Sequence, residues 1–157
     1  MAVWKVYCDG AARGQGSGTV TQAALGVVIT RNDKVVWGFA RGLGSVTNNV
    51  AEYEAVLAGL LMCWSSDDIK DPLIYSDSQL VVNQVNGKWS CNAKALIPLH
   101  FSIQQIAKDY RFRLFQVPRN VVSAADKLVN EFLDELTAEH PTLSQPAPKV
   151  ALLPPPI

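Results

Sequence analysis

Apolar and polar positions divide the chain into short segments whose periods change from two to between three and four and back. Trp4 to Asp9 alternates, with Val6 and Cys8 on one face and Lys5 and Tyr7 on the other, as a half-buried strand does. Gly10 to Gln22 is rich in Gly, Ser and Thr and reads as a long loop. Ala23 to Thr30 is a second strand, Asn32-Asp33 a turn, and Lys34 to Arg41 a third strand. Connections this short make the three an antiparallel meander. Tyr53, Val56, Leu57, Leu60, Leu61 and Trp64 then recur at i, i+3, i+4, i+7, i+8 and i+11, the stripe of an amphipathic helix. Asn48 and Asn49 are its N-cap candidates. Asn49 and Glu52 have capping-box spacing, which puts Glu52 in the first turn.

The apolar run Pro72 to Tyr75 reads as a buried strand, and a carboxylate, Asp77, follows it. A helical pattern begins at once, through Leu80, Val81, Gln84 and Val85. Taken alone, Asp77 or Ser78 is accounted for as a helix cap. Leu96, Leu99, Ile103 and Ile106 have helical spacing, with Pro98 in the first turn. Arg111 to Val117 is a last strand, and Leu128, Val129, Phe132, Leu133 and Leu136 mark a last helix, with Ser123 a candidate N-cap and Asp126 in its first turn. The order β-β-β-α-β-α-α-β-α predicts an α/β fold. Its mixed five-stranded sheet has three antiparallel strands then two parallel ones, with helices on both faces through right-handed crossovers. A single domain is expected over residues 1–139, with a proline-rich tail over 140–157 that holds one extended run at Val150 to Leu153.

Composition narrows the class. Of 157 residues, 48% are hydrophobic and 18% charged, enough apolar content for one sizeable core. No apolar run approaches the ~20 residues that span a bilayer, so no membrane association is expected and the location is taken as cytoplasmic. Three widely spaced cysteines, Cys8, Cys63 and Cys91, argue against a disulfide framework and a zinc site. The net charge is zero, with 14 basic and 14 acidic groups. If four of the acids bound metal, the remaining surface would be net positive, so a polyanionic substrate stays compatible with a neutral chain.

The chemistry lies where the elements end. Asp9 and Asp77 sit at expected strand ends, Glu52 and Asp126 in expected helix first turns. Four segments carry a resemblance: Tyr7-Cys8-Asp9-Gly10-Ala11, Thr47-Asn48-Asn49-Val50-Ala51-Glu52-Tyr53, Ser76-Asp77-Ser78-Gln79-Leu80-Val81 and Ala125-Asp126. In this order the chain resembles the type 1 ribonuclease H family over residues 3 to 137, and within it the compact archaeal-like and plant-like branch. The resemblance implies an endonuclease that cleaves the RNA strand of RNA/DNA hybrids and leaves 5′-phosphate and 3′-hydroxyl ends. It implies that Asp9, Glu52, Asp77 and Asp126 are the catalytic residues and hold two magnesium ions, with manganese able to substitute. Hard oxygen ligands suit magnesium, and four clustered carboxylates without cations would repel one another.

The resemblance also makes Gly10, Asn48, Asn49, Gln79, Lys88 and Arg119 substrate contacts. Amides suit the 2′-hydroxyl, a donor and acceptor, and Lys88, with Trp89 and Lys94, suits phosphate and sugar. Arg119 occupies the loop where the bacterial form carries a histidine. The usual Gly-Asn-Pro-Gly after the first strand is replaced by Gly14-Gln15-Gly16-Ser17. A monomer with no obligate protein partner is expected. The competing reading is a non-catalytic nucleic-acid-binding module of the same fold, such as a domesticated retroelement fragment.

Overall fold

The structure, a computed structural model, describes residues 1–14, 22–139 and 150–153. Its elements are β1 (Trp4–Arg13), β2 (Gln22–Arg31), β3 (Lys34–Gly44), α1 (Asn48–Trp64), β4 (Leu73–Ser76), α2 (Gln79–Val85), α3 (Ile97–Asp109), β5 (Arg113–Gln116), a 3-10 turn (Arg119–Val122), α4 (Ser123–Glu139) and β6 (Val150–Leu153). The sheet order is β5-β4-β1-β2-β3-β6. β1, β2 and β3 form the expected antiparallel meander, and β4 and β5 run parallel to β1. Among the described residues, no helix is long and apolar enough to cross a membrane.

Two expectations about the sheet change. The first concerns its width. Residues 150–153 of the expected tail add a sixth strand, with Leu153 opposite Gly38 and Val150 opposite Arg41. Without it, the backbone of β3 would be an open edge. The second concerns β1, which does not end at Asp9. It pairs with β2 from Trp4↔Arg31 through Arg13↔Gln22. Gly10, Ala11 and Ala12 have little strand propensity of their own, but a full antiparallel partner supplies their hydrogen bonds and overrides it. The residues of the expected loop at 15–21, including the altered glycine segment, lie outside those described.

Small residues on β1 and β2 let helices approach both faces. On one face Val6, Cys8, Val27 and Ile29 pack with Val56, Leu60 and Cys63 of α1 in the main core, to which Ile103 and Ile106 of α3 also belong. On the other, Ala24 and Ala40 lie under Val129, Phe132, Leu133 and Leu136 of α4. Cys8, Cys63 and Cys91 are free thiols, the first two buried, and burial pushes the Cys8 thiol up.

Candidate active site

β4 stops at Ser76, opposite Cys8 of β1. Beyond that point β1 continues without a parallel neighbour. Asp9 is therefore the first β1 residue past the end of β4, and Asp77 is the first residue after β4 itself. The Gly10 N–H, left without a ladder acceptor on this side, donates to Glu52 Oε1 at 2.6 Å. This bond draws Glu52 from α1 to the place where the parallel pair ends.

Two glycines make the gathering possible. A Cβ on Gly10 would stand 2.2 Å from the Ala51 carbonyl carbon and oxygen, so only glycine lets α1 come this close. A Cβ on Gly26, which faces Asp9 across the β1–β2 ladder, would stand 2.6 Å from the Ala125 carbonyl oxygen. Its absence admits the first turn of α4 and brings Asp126 beside Asp9. Gly10 is thus buried, held by the strand–helix contact and by its bond to Glu52.

One ligand oxygen from each of Asp9, Glu52 and Asp77 falls within 4.8 Å of the others. Asp9 and Glu52 are buried. Burial lifts Asp9 to about 8, helped by a hydrogen bond shared with Asp126 and by the charges of Asp77 and Asp126. Burial likewise pushes Glu52 up to about 9, the charges of Asp9 and Asp77 adding to it while the Gly10 N–H pulls the other way. Asp9 Oδ2 and Asp77 Oδ1 are buried with no hydrogen-bond partner. A buried carboxylate oxygen without a donor is costly. Two of them, on residues of an all-oxygen set, fit a hard divalent cation.

Asp126 stands next to this trio and is linked to it through Asp9. Its Oδ1 receives Arg119 at 3.4 Å and its Oδ2 receives the Asn130 side-chain amide at 3.1 Å. Arg119 is 76% exposed, and the charge of Asp126 holds its guanidinium protonated more firmly. Asn130 was not among the residues singled out by motif; its one sequence clue is the i, i+4 spacing from Asp126.

The caps differ from expectation. Thr47, not Asn48 or Asn49, caps α1, its hydroxyl accepting from the Val50 N–H at 3.2 Å. Glu52 therefore lies beyond the first turn, and its carboxylate is spent on Gly10 rather than on a capping box. Asn48 Oδ1 instead accepts from the Ala12 N–H at 3.3 Å, tying α1 to β1. Ser78 caps α2 through the Val81 N–H at 3.2 Å, which leaves Asp77 unneeded as a cap. Ser123 caps nothing, because the 3-10 turn that opens after Pro118 runs straight into α4.

Asn48, Asn49 and Gln79 are exposed at the N-termini of α1 and α2, and Lys88 and Trp89 are exposed on the loop after α2. That loop is anchored from below. Buried Tyr53 donates to Gln84 Oε1 at 2.6 Å, and the Gln84 amide donates to the Ser90 carbonyl at 3.1 Å. His100 meets the Gln84 carbonyl at 3.1 Å, a packing role, away from the carboxylates.

A mixed sheet of this order, with helices on both faces and acids collected where its parallel strands end, is a ribonuclease H-like domain. The family model described as "Reverse transcriptase-like" matches residues 8–132. The bifunctional protein Rv2228c of Mycobacterium tuberculosis is 31% identical over 153 residues, which make up 93% of this chain and 40% of that protein. Ribonuclease HI of Halobacterium salinarum is 34% identical over 133 residues, 82% of this chain and 63% of the relative. The chain thus spans less than half of the first relative and under two thirds of the second. The crystal structure of LC11-RNase H1 in complex with an RNA/DNA hybrid is 30% identical with a TM-score of 0.74, over 84% of this chain and 97% of that one. The chain belongs to the type 1 ribonuclease H family.

Proposed function

We propose that the protein is an endonuclease that hydrolyses the RNA strand of RNA/DNA hybrids, leaving 5′-phosphate and 3′-hydroxyl ends. One observation carries the reading: Asp9 Oδ2 and Asp77 Oδ1 are buried and unpartnered within a cluster of carboxylates. Asp9, Glu52, Asp77 and Asp126 hold magnesium, as a pair of ions, and manganese substitutes. When bound, such ions supply Lewis-acid stabilisation of the phosphate and a more acidic water.

The chain's own residues do the rest. Gly10 fixes the Glu52 carboxylate through its N–H. Ser78 takes the cap of α2, so Asp77 is free to face Asp9 and Glu52. Arg119, exposed and paired only at 3.4 Å with Asp126, turns to a phosphate oxygen of the substrate. Asn48, Asn49 and Gln79 read the 2′-hydroxyls of the RNA strand, since an amide offers both donor and acceptor. Lys88 neutralises a phosphate of the DNA strand, so binding weakens with salt. The enzyme works as a monomer in the cytoplasm, where its free thiols stay reduced.

The test is cleavage of an end-labelled RNA/DNA hybrid in magnesium, beside single-stranded RNA, double-stranded RNA and DNA. The wild type cuts the hybrid's RNA strand, and Asp77→Asn loses about a hundredfold or more while keeping its fold. A fully active Asp77→Asn defeats the mechanism. A wild type that binds the hybrid and never cuts it is a binding module instead.

A further inference from the structure

Asn130 sits one turn along α4 from Asp126, and Asp134 one turn further. Asp126, Asn130 and Asp134 thus share one face of the helix. Arg13, at the end of β1, spans this face. Its guanidinium donates to Asn130 Oδ1 at 2.7 Å and to Asp134 Oδ1 at 2.6 Å. The Asn130 Nδ2 then donates to Asp126 Oδ2 at 3.1 Å and to the Asp126 carbonyl at 3.0 Å.

The polarity of this chain is set by chemistry. A guanidinium has donors only, and a carboxylate only acceptors. An amide between them has one stable orientation, oxygen to Arg13 and nitrogen to Asp126. Arg13 thereby prevents the flip that would turn the Asn130 oxygen against Asp126. With Oδ2 held by Asn130, the carboxylate plane is fixed, and Oδ1 is the oxygen left for Arg119 or a metal ion. Asp126 is 26% exposed at the start of α4, less enclosed than Asp9 or Glu52. Asp9 and Glu52 need no such brace, since both are buried.

We infer that Asn130 is a positioning residue for the fourth carboxylate, and that Arg13 acts through it. This inference rests on the assignment of Asp126 as a metal-binding carboxylate. It predicts weaker metal binding rather than weaker hybrid binding when the relay is cut, in the way that groups behind metal ligands contribute roughly 10–100-fold.

The experiment is manganese titration of the substrate-free protein by calorimetry, together with steady-state cleavage of a labelled hybrid. Asn130→Ala weakens manganese binding about tenfold and lowers kcat by a similar factor, with KM for the hybrid unchanged. Arg13→Ala moves the same two quantities in the same direction, and the double variant is no worse than Asn130→Ala alone, because the two act in series. Arg13 is 40% exposed, so its variant reports even if Asn130→Ala folds poorly. Asp134→Ala, which breaks only the outer ion pair, leaves manganese affinity at the wild-type value.

Wild-type manganese affinity in Asn130→Ala or in Arg13→Ala, or losses that multiply in the double variant, would overturn the inference. Asp126→Asn is measured alongside. If it too binds manganese like the wild type, the assignment of Asp126 has failed, and the inference falls with it.

Discussion

Replacing Gly10 by alanine tests how the site is assembled. The added Cβ would stand 2.2 Å from both the carbonyl carbon and oxygen of Ala51 and 2.6 Å from the Glu52 nitrogen. Ordinary contact needs about 3.5–4 Å, so backbone must move by more than an ångström. The obstructing atoms are all main chain, and Ala51 is fully buried, so no side chain can swing aside. Overpacking of a core costs about 1–3 kcal/mol, and a clash with backbone belongs at the upper end. Moving α1 also stretches the 2.6 Å bond from Gly10 to Glu52, a hydrogen bond worth roughly 1 kcal/mol. A total near 4 kcal/mol follows, which for a domain of this size lowers Tm by about 8–16 °C. Scanning calorimetry measures the shift, and the hybrid assay reads the displacement of Glu52 as lost kcat. Gly44→Ala is the control. Gly44, unlike Gly10, has positive φ, +70°, and a Cβ there meets nothing within 4 Å, so only backbone strain of about 1 kcal/mol is felt. A Gly10→Ala protein that melts and cleaves like the wild type would refute the close approach of α1 to β1. A loss in Gly10→Ala no larger than that in Gly44→Ala would refute it equally, since Gly10 has no positive φ to strain.

Two further outcomes follow from the buried polar groups. Without metal, Asp9 titrates at about 8 and Glu52 at about 9, both above unfolded values near 4. Their contribution to stability is fully present below about pH 4 and is lost as pH rises through the folded values. Tm of the metal-free protein therefore falls between about pH 5 and pH 9, and saturating magnesium raises Tm more at about pH 8 than at pH 5; the same magnesium shift at both would contradict the raised titration of these buried carboxylates. Tyr53→Phe leaves buried Gln84 without its 2.6 Å donor, costing about 1–3 kcal/mol. It also loosens the Ser90 anchor, so amide exchange speeds up at residues 88–90. Unaltered exchange there would mean that the loop does not depend on the Tyr53–Gln84–Ser90 chain.

Much of the architecture is written in local pattern. The alternation in β1, the stripe of α1 and the spacing in α3 and α4 set element types, because burial on one face imposes a period of two or between three and four. The four acids were legible for a different reason: each lies inside a motif whose neighbours also match, and the motifs occur in the family's order. What local pattern does not carry is partnership. Ala11 and Ala12 join β1 only because β2 lies opposite them, and the 150–153 run becomes a strand only against β3. Thr47 outcompetes two asparagines for the α1 cap, since Asn48 is drawn to Ala12 from a distant element.

The same division holds at the site. The sequence by itself determined which carboxylates are available and that glycines stand at positions 10 and 26. Only the tertiary structure decided that those glycines are spaces, one admitting α1 with Glu52 and the other α4 with Asp126. It alone joined Arg13 to Asn130, residues 117 positions apart. The physical reason is range. Periodicity and capping act over a few residues, whereas a missing Cβ or a guanidinium acts on whatever the fold brings within a few ångströms.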